Sequence, residues 1–399
     1  MRKLVLVAFA IIVANSSSAI AAPKPIAIKE ATVITADIQA EGIASSGTNL
    51  ITFTSTTSAT LDVTVVAKNL SGSDVWSKVI DSGQNEMATV ITSDSSGNIW
   101  LAGSSSSIPA PETVTAQIGA INPDGVNIET LPKLRKDMDQ ISLWLLSPNG
   151  DLISTFSFPL KASALVTAIA VDSKGATIAG LRANGAFVLS VSQTGIFGKL
   201  VPIGTSKTSI NAVTRNSDAT VSAFGSSSET LGGKKLVGAI DGVLIKISKT
   251  ATIASVVRSS APKAKRSWNS STPSSFLTGD VISPKGNEIA ITKFTSQFAP
   301  TWTTRYSGSG KAIGMNLSGG NFAVAMAPSA LPAGLSGSKL AKGQSLVVLF
   351  NGKGVITSGY TNPAMGAPIA ATYSPDGGIS VLAKGIGAQT ISIFHLISR

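Results

Sequence analysis

One short unit recurs seven times along this chain. Each copy is a short strand, a polar turn centred on Gly or Asp, and a second strand that often ends in Ala, Gly or Ser. Copies begin at Gly42, Ala88, Thr167, Asn211, Gly279, Gly314 and Ala370, with turn residues Gly47, Gly97, Gly175, Asp218, Gly286, Gly319 and Gly377. Units roughly 55 residues apart have the spacing of propeller blades with some long loops. Side chains alternate within the strands: in "GNIWLAG", Ile99 and Leu101 share one face and Trp100 and Ala102 the other. A period of two is the signature of sheet.

A second kind of hairpin lies between the copies, as in "ISLWLLSPNGDLISTF" and "GVLIKISKTATIASVV". Together the two kinds supply four strands per repeat. A lone four-stranded sheet cannot bury both apolar faces, whereas radial packing gives each face a neighbour. A β-helix needs shorter coils, and a sandwich has no need of seven related units. The expected fold is all-β: a closed β-propeller of about seven four-stranded blades, forming a single domain over residues 28–397. Eight blades are the alternative, because two second-type hairpins fall between Gly97 and Gly175. Lys29–Asp37 is expected as the inner strand of the first blade and Thr390–Ser398 as the outer strand of the last. Closure would then rest on packing between end blades. Leu131–Leu146 is the one segment with a helix-like first half, and its second half alternates like a strand.

The first residues read as a secretion signal: Arg2 and Lys3, an apolar run from Leu4 to Ala14, then "AIA" at Ala19–Ala21. Residues 1–21 are expected to be cleaved, leaving a secreted or cell-surface protein without a transmembrane segment. The chain has no cysteine, which removes disulfides, thiolate metal sites and a lipid-anchored cysteine together. Net charge is +11, yet only 13% of residues are charged. That balance suits loose attraction to anionic polymers. A nucleic-acid partner is not indicated, since no dense basic helix or basic stripe interleaved with aromatics occurs.

Asp94–Ser104, "DSSGNIWLAGS", followed by "NPDG" at Asn122–Gly125, resembles the bacterial secreted β-propeller repeat, as does "LVGAIDGVLIKISKTATI" at Leu236–Ile253. The likeness covers most of the chain and is clearest over 86–130 and 165–255. It implies the fold and the compartment. It implies no activity, because the family has no common catalytic residues. Asp218, where Gly is expected, and Ser267–Lys311 depart from the pattern.

Catalytic chemistry is thinly supplied. The single histidine, His395, alternates with apolar neighbours and reads as structural. Asp137 and Asp139 are the closest acidic pair, but Lys133, Arg135 and Lys136 beside them indicate a solvated charge cluster. Asp124, Asp172, Asp280 and Asp376 are expected in or near turns, bonding local backbone. No cofactor or metal set is legible. The most unusual segment is Arg258–Ser275, basic, free of acids and rich in Ser and Pro. It reads as a long loop in which Lys263, Lys265, Arg266 and Trp268 contact a sugar ring or an anionic polymer, with Trp302 and Arg305 as further candidates. Insertions at Ser104–Thr115, Ser226–Gly238 and Ala327–Gln344 all follow a second strand, which places them on one edge of the disc.

These features point to a monomeric, noncatalytic extracellular binding or scaffold module. Its expected partner is a cell-envelope glycan, an anionic polymer or a surface protein. The alternatives are a structural envelope component and a secreted carbohydrate-active hydrolase or lyase, for which two acids would have to converge at one end of the central channel.

Overall fold

The computed structural model describes residues 24–57, 60–108, 137–160, 162–387 and 389–396. The segments read as a leader (1–21) and as "NPDG", and residues 131–136 of the segment Leu131–Leu146 with its helix-like first half, lie outside them. Among the described residues seven main sheets are arranged as blades. Blade 1 is Gly42–Ser46, Asn49–Thr57, Leu61–Lys68 and Asp74–Ile80; blade 2 is Glu86–Ser93, Ile99–Ser105, Gln140–Leu146 and Leu152–Pro159. Blade 3 is Ala164–Asp172, Gly175–Arg182, Gly185–Ser192 and Val201–Ile203; blade 4 is Thr208–Arg215, Val221–Ser227, Asp241–Ile247 and Ile253–Ser259. Blade 5 is Lys265–Ser271, Phe276–Ser283, Gly286–Phe294 and Pro300–Ser307. Blade 6 is Ile313–Asn316, Phe322–Met326, Leu346–Phe350 and Ile356–Thr361, and blade 7 begins with Met365–Ser374, Gly378–Gly385 and Ile391–Leu396.

The fourth strand of blade 7 is Thr32–Ile38, from the opposite end of the chain, antiparallel to Ile391–Leu396. The closed ring expected from the sequence, its end blades meeting by packing alone, is therefore corrected to a velcro-type propeller. Lys29–Asp37 is not the inner strand of blade 1, and the last strand is third rather than outermost in its sheet. The burial pattern gives the reason: Thr32–Ile38 is largely exposed, as an outer strand is, whereas the true inner strand Gly42–Ser46 is buried throughout. Just before it, Lys29–Glu30 runs parallel to Ile356–Thr361 as a fifth strand on blade 6, and Ile26–Ala27 pairs with Leu335–Ser336. The strap thus spans blades 6 and 7. The seam is a bulged strand pairing, with two register shifts in the pairing of Thr32–Ile38 with Ile391–Leu396.

Apolar side chains gather between blades. Ile51, Phe53, Val63 and Val65 of blade 1 meet Ile99, Leu101 and Trp144 of blade 2, all under 3% exposed. A comparable cluster lies between blades 3 and 4, built from Ala179, Val188, Ile210, Ala223 and Val243. Every blade face is therefore a core face, which explains strands that are apolar on both sides.

Six of the seven turn residues predicted from the repeat join the first and second strands of a blade. Gly286 instead joins the second and third strands of blade 5. The first turn of that blade lies at Thr272–Ser275, where Ser275 takes the left-handed conformation (φ 59°), and Ala219 does so in blade 4 (φ 61°). The non-glycine Ser275 hid the first turn of blade 5 from the repeat pattern, whereas the blade 4 turn was still found at Asp218.

The inner strands of blades 2 to 5 share one irregularity. Each bulges beside a glycine of its neighbour: Ala88 faces Gly103, Val166 faces Gly180, Ile210 faces Gly225 and Trp268 faces Gly279. A Cβ on Gly279 would lie 1.9 Å from the Ser267 carbonyl oxygen, so the approach requires glycine. The residues extruded by the bulges, Thr89, Thr167, Asn211 and Asn269, line the central channel. Three of them donate to the next blade's bulge: Thr89 Oγ1 to Val166 O at 2.8 Å, Thr167 Oγ1 to Ile210 O at 2.6 Å, and Asn211 Nδ2 to Trp268 O at 3.3 Å.

Candidate functional site

The segment read as a basic loop is mostly strand. Lys265–Ser271 is the inner strand of blade 5, and Ile253–Ser259 is the outer strand of blade 4. Between them a turn spans Ala261 to Ala264, closed by Ala264 N–H to Ala261 O at 3.1 Å. Pro262 takes its second position and Lys263 its third, at φ 60°. A positive φ at the third position ordinarily calls for Gly. The turn leaves the Lys263 side chain exposed.

Strand register places the neighbouring groups. Arg266 lies opposite Val281, Val281 opposite Glu288, and Glu288 opposite Ser307; the next row is Trp268, Gly279, Ala290 and Arg305. Directly paired residues share a sheet face, so Arg266, Trp268, Glu288 and Arg305 share the blade 5 face that packs on blade 4. Lys265, one residue along, lies on the other face and is exposed.

Trp268 is fully buried, which corrects its expected role as an exposed contact. Its ring meets Phe294 edge-on at 5.5 Å. Gly242 of blade 4 makes room for it, since a Cβ there would lie 2.9 Å from the indole Nε1. The Arg266 guanidinium sits 4.6 Å from the Trp268 ring centroid. Arg266 is only 9% exposed, its Nε has no hydrogen-bond partner, and no side-chain hydrogen bond or ion pair serves its guanidinium among the described residues. Burial pushes its pKa down to about 10; Arg305 adds repulsion and Glu288 partly opposes it. A buried charge is normally paired. This one has only the face of an indole.

Above it a cleft of about 680 Å³ is lined by Lys263, Lys285, Glu288 and Arg305. Arg305 and Glu288 form an exposed ion pair at 3.2 Å, with side chains 42% and 38% accessible. The structure thus brings Lys263 and Arg305 of the sequence-derived set to one cleft, while Arg266 is buried on the same blade face outside the cleft lining. It adds Lys285, from the "SPKG" turn, which only the strand pairing could place there. A neighbouring cleft of about 580 Å³ carries Lys234, Lys235 and Arg258. Arg258 is not a free cation: it pairs with fully buried Asp241 at 3.1 Å and donates to the carbonyl oxygens of Glu229 and Lys234. Trp302 belongs elsewhere. It lies on the opposite face of its strand from Arg305, among Phe276, Phe322 and Phe350 of blades 5 and 6, with Nε1 donating to Gly352 O at 3.2 Å.

Other charged places are already neutralised. In a cavity of about 400 Å³ between blades 3 and 4, Arg215 Nη1 donates to Thr177 Oγ1 at 2.8 Å and to Ala176 O at 2.9 Å. Its Nε lies 3.0 Å from Asp172 Oδ2, although too bent for a hydrogen bond. The described channel wall carries one carboxylate, Glu41, whose Oε1 accepts from Ser55 N–H at 2.8 Å, and one lysine, Lys311. Asp137 and Asp139 precede the strand Gln140–Leu146 and do not share a face on it; Asp139 accepts from Ser107 N–H and Oγ at 2.8 and 2.6 Å. Asp280 lies within a strand and not at a turn, and accepts from Asn269 Nδ2 at 2.5 Å. His395 is buried, with Nδ1 3.0 Å from Ser380 Oγ, and burial lowers its pKa.

The chain matches no family model, and no curated protein matches it in sequence. Its fold is similar to solved propellers. The WD40 domain of Toxoplasma gondii coronin superposes with a TM-score of 0.52 at 10% identity, covering 94% of this chain and 90% of that one. The propeller domain of Myceliophteria thermophila Cps50 (Swd1) does so with a TM-score of 0.52 at 9% identity, covering 92% and 100%.

These likenesses are of fold alone. They correct the resemblance drawn from the repeats: no model of a bacterial secreted repeat family matches the chain, and a WD40 domain superposes on its fold. The bacterial, secreted and cell-surface assignments rested on that resemblance and on residues 1–21, and they are withdrawn. No helix among the described residues is long and apolar enough to cross a membrane.

Proposed function

We propose that this chain is a noncatalytic interaction propeller, and that the cleft beside blades 4 and 5 receives an anionic segment of its partner. The observation that carries this reading is Arg266. An uncompensated guanidinium, nine-tenths buried, costs free energy in the unliganded protein. An anion entering from the cleft would recover it. Lys263, Lys285 and Arg305, which line the cleft, would attract and contact that anion, and the charge of Arg266, buried beside the lining, would add to the attraction.

The test uses polyglutamate and dextran sulfate, with neutral dextran as control, against the full chain across a salt series. Both anionic polymers should bind, more weakly as salt rises. The variant K263S/K285S/R305S should keep the fold, since all three side chains are exposed. It should lose roughly tenfold or more in affinity, about 1.4 kcal/mol, and its salt dependence should flatten. Unchanged affinity of that variant across the series would refute the cleft as the site.

A further inference from the structure

A second charged cluster lies on the far side of the ring, between blades 1 and 2. Asp62 is near the start of the strand Leu61–Lys68, Asp81 follows the strand Asp74–Ile80, and Glu86 opens the strand Glu86–Ser93. One carboxylate oxygen from each lies within 4.8 Å of those of the other two. Asp62 is 6% exposed and Glu86 2%, while Asp81 is open to solvent.

Local structure holds all three in place. Asp81 Oδ1 accepts from Gly83 N–H at 2.8 Å, in a turn where Gly83 has φ 77°. Asp62 Oδ1 accepts from Thr60 Oγ1 at 2.5 Å, and Asp62 has a further partner. Glu86 Oε1 accepts from Ser82 Oγ. Glu86 Oε2 is buried and has no hydrogen-bond partner, so this carboxylate is aimed into the cluster with half its acceptor capacity unused. Burial raises the pKa of Glu86, and the charges of Asp62 and Asp81 raise it further.

We propose that Asp62, Asp81 and Glu86 form a divalent-cation site that takes calcium and staples blade 1 to blade 2. Calcium is held by oxygen ligands at about 2.3–2.6 Å, so oxygens on opposite sides of the ion stand about 5 Å apart or less. The observed spacing accommodates that with little side-chain movement. Exposed Asp81 leaves one side open to the waters that would complete the shell. Magnesium demands a tighter, near-octahedral arrangement of oxygens at about 2.0–2.1 Å. The ligands come from two blades and the link between them, so a bound ion would oppose separation of the blades.

The chelator-treated full chain is titrated with calcium chloride, following heat of binding and the thermal midpoint. Calcium should raise the wild-type midpoint. D81N, altered at an exposed position, should keep the fold and need at least about tenfold more calcium for the same rise. E86Q should not respond to calcium, and without calcium it should melt no lower than wild type, because the amide removes the repulsion. No rise in the wild-type midpoint up to millimolar calcium, or equal rises in all three proteins, would overturn the proposal; Glu86 would then hold a proton in place of an ion.

Discussion

Asn362 Nδ2 donates a hydrogen bond of 2.8 Å to the carbonyl oxygen of Ala31, across 331 residues of chain. Asn362 is 8% exposed and Ala31 is fully buried. The bond falls where the strap leaves blade 6 for blade 7, next to the Ala31 N–H bond to Thr361 O at 2.8 Å. Asn362→Ala leaves a buried carbonyl unsatisfied and should cost about 1–3 kcal/mol. Chemical denaturation measures the loss. Hydrogen exchange should quicken first in Thr32–Ile38 and Ile391–Leu396, because the latch is released before the inner strands.

The bulge-to-bulge bonds should behave as a chain of equal links. Thr167→Val keeps the shape of the side chain but removes its bond to Ile210 O. It should cost about 1–2 kcal/mol and leave the secondary structure unchanged. Thermal melting followed by circular dichroism checks both. A variant as stable as wild type would show that the bulge is held by Gly180 and its strand alone.

Arg266→Met should raise the stability of the unliganded chain while abolishing polyanion binding. Replacing an unpaired buried charge with an apolar side chain of similar length removes a desolvation cost, and gains of about 1–4 kcal/mol follow in comparable cases. Equilibrium unfolding with and without dextran sulfate separates the two effects. A drop in stability would mean that Arg266 already has an adequate partner in the Trp268 ring.

Two ion pairs should differ sharply. Asp241→Ala strands the buried Arg258 guanidinium and should cost about 3–5 kcal/mol. Arg305→Ala breaks an exposed pair with Glu288 and should change stability by no more than about 1 kcal/mol. Paired denaturation curves decide. The contrast also makes Arg305 a clean position for the binding test.

Alkaline pH should expose Tyr306. Burial raises its pKa from 10.0 to about 12, so its protonated form contributes stability that is complete below pH 10 and is lost as pH climbs towards 12. Arg266 acts in the opposite sense over much of this range: its folded pKa is depressed to about 10, so its penalty eases as pH rises above that value. Tyr306→Phe should remove the alkaline loss. In the Arg266→Met background the Tyr306 loss should be steeper than in wild type. Unfolding midpoints between pH 9 and 11.5 resolve the two.

The sequence by itself determined most of the strands and the repeat, and narrowed the blades to about seven with eight left open, because alternation and turn chemistry are local. Six of seven inner turns were legible in the same way, and the seventh was hidden where Ser275 replaces Gly in a left-handed position. Tertiary structure decided the rest. Thr32–Ile38 reads equally well as an inner strand or an outer one, since backbone pairing carries no residue code and its partner lies at the other end of the chain. "KAKRSW" reads as loop because it is basic and polar. It folds as the inner strand of blade 5 because blade 4 offers Trp268 a pocket opened by Gly242. In a propeller both faces of a blade are buried, so hydropathy cannot tell an exposed tryptophan from a core one. Nor could composition reveal that Lys263, Lys285 and Arg305 share a cleft, or that Asp62, Asp81 and Glu86 share a point: those groupings come from strand register and from the meeting of blades.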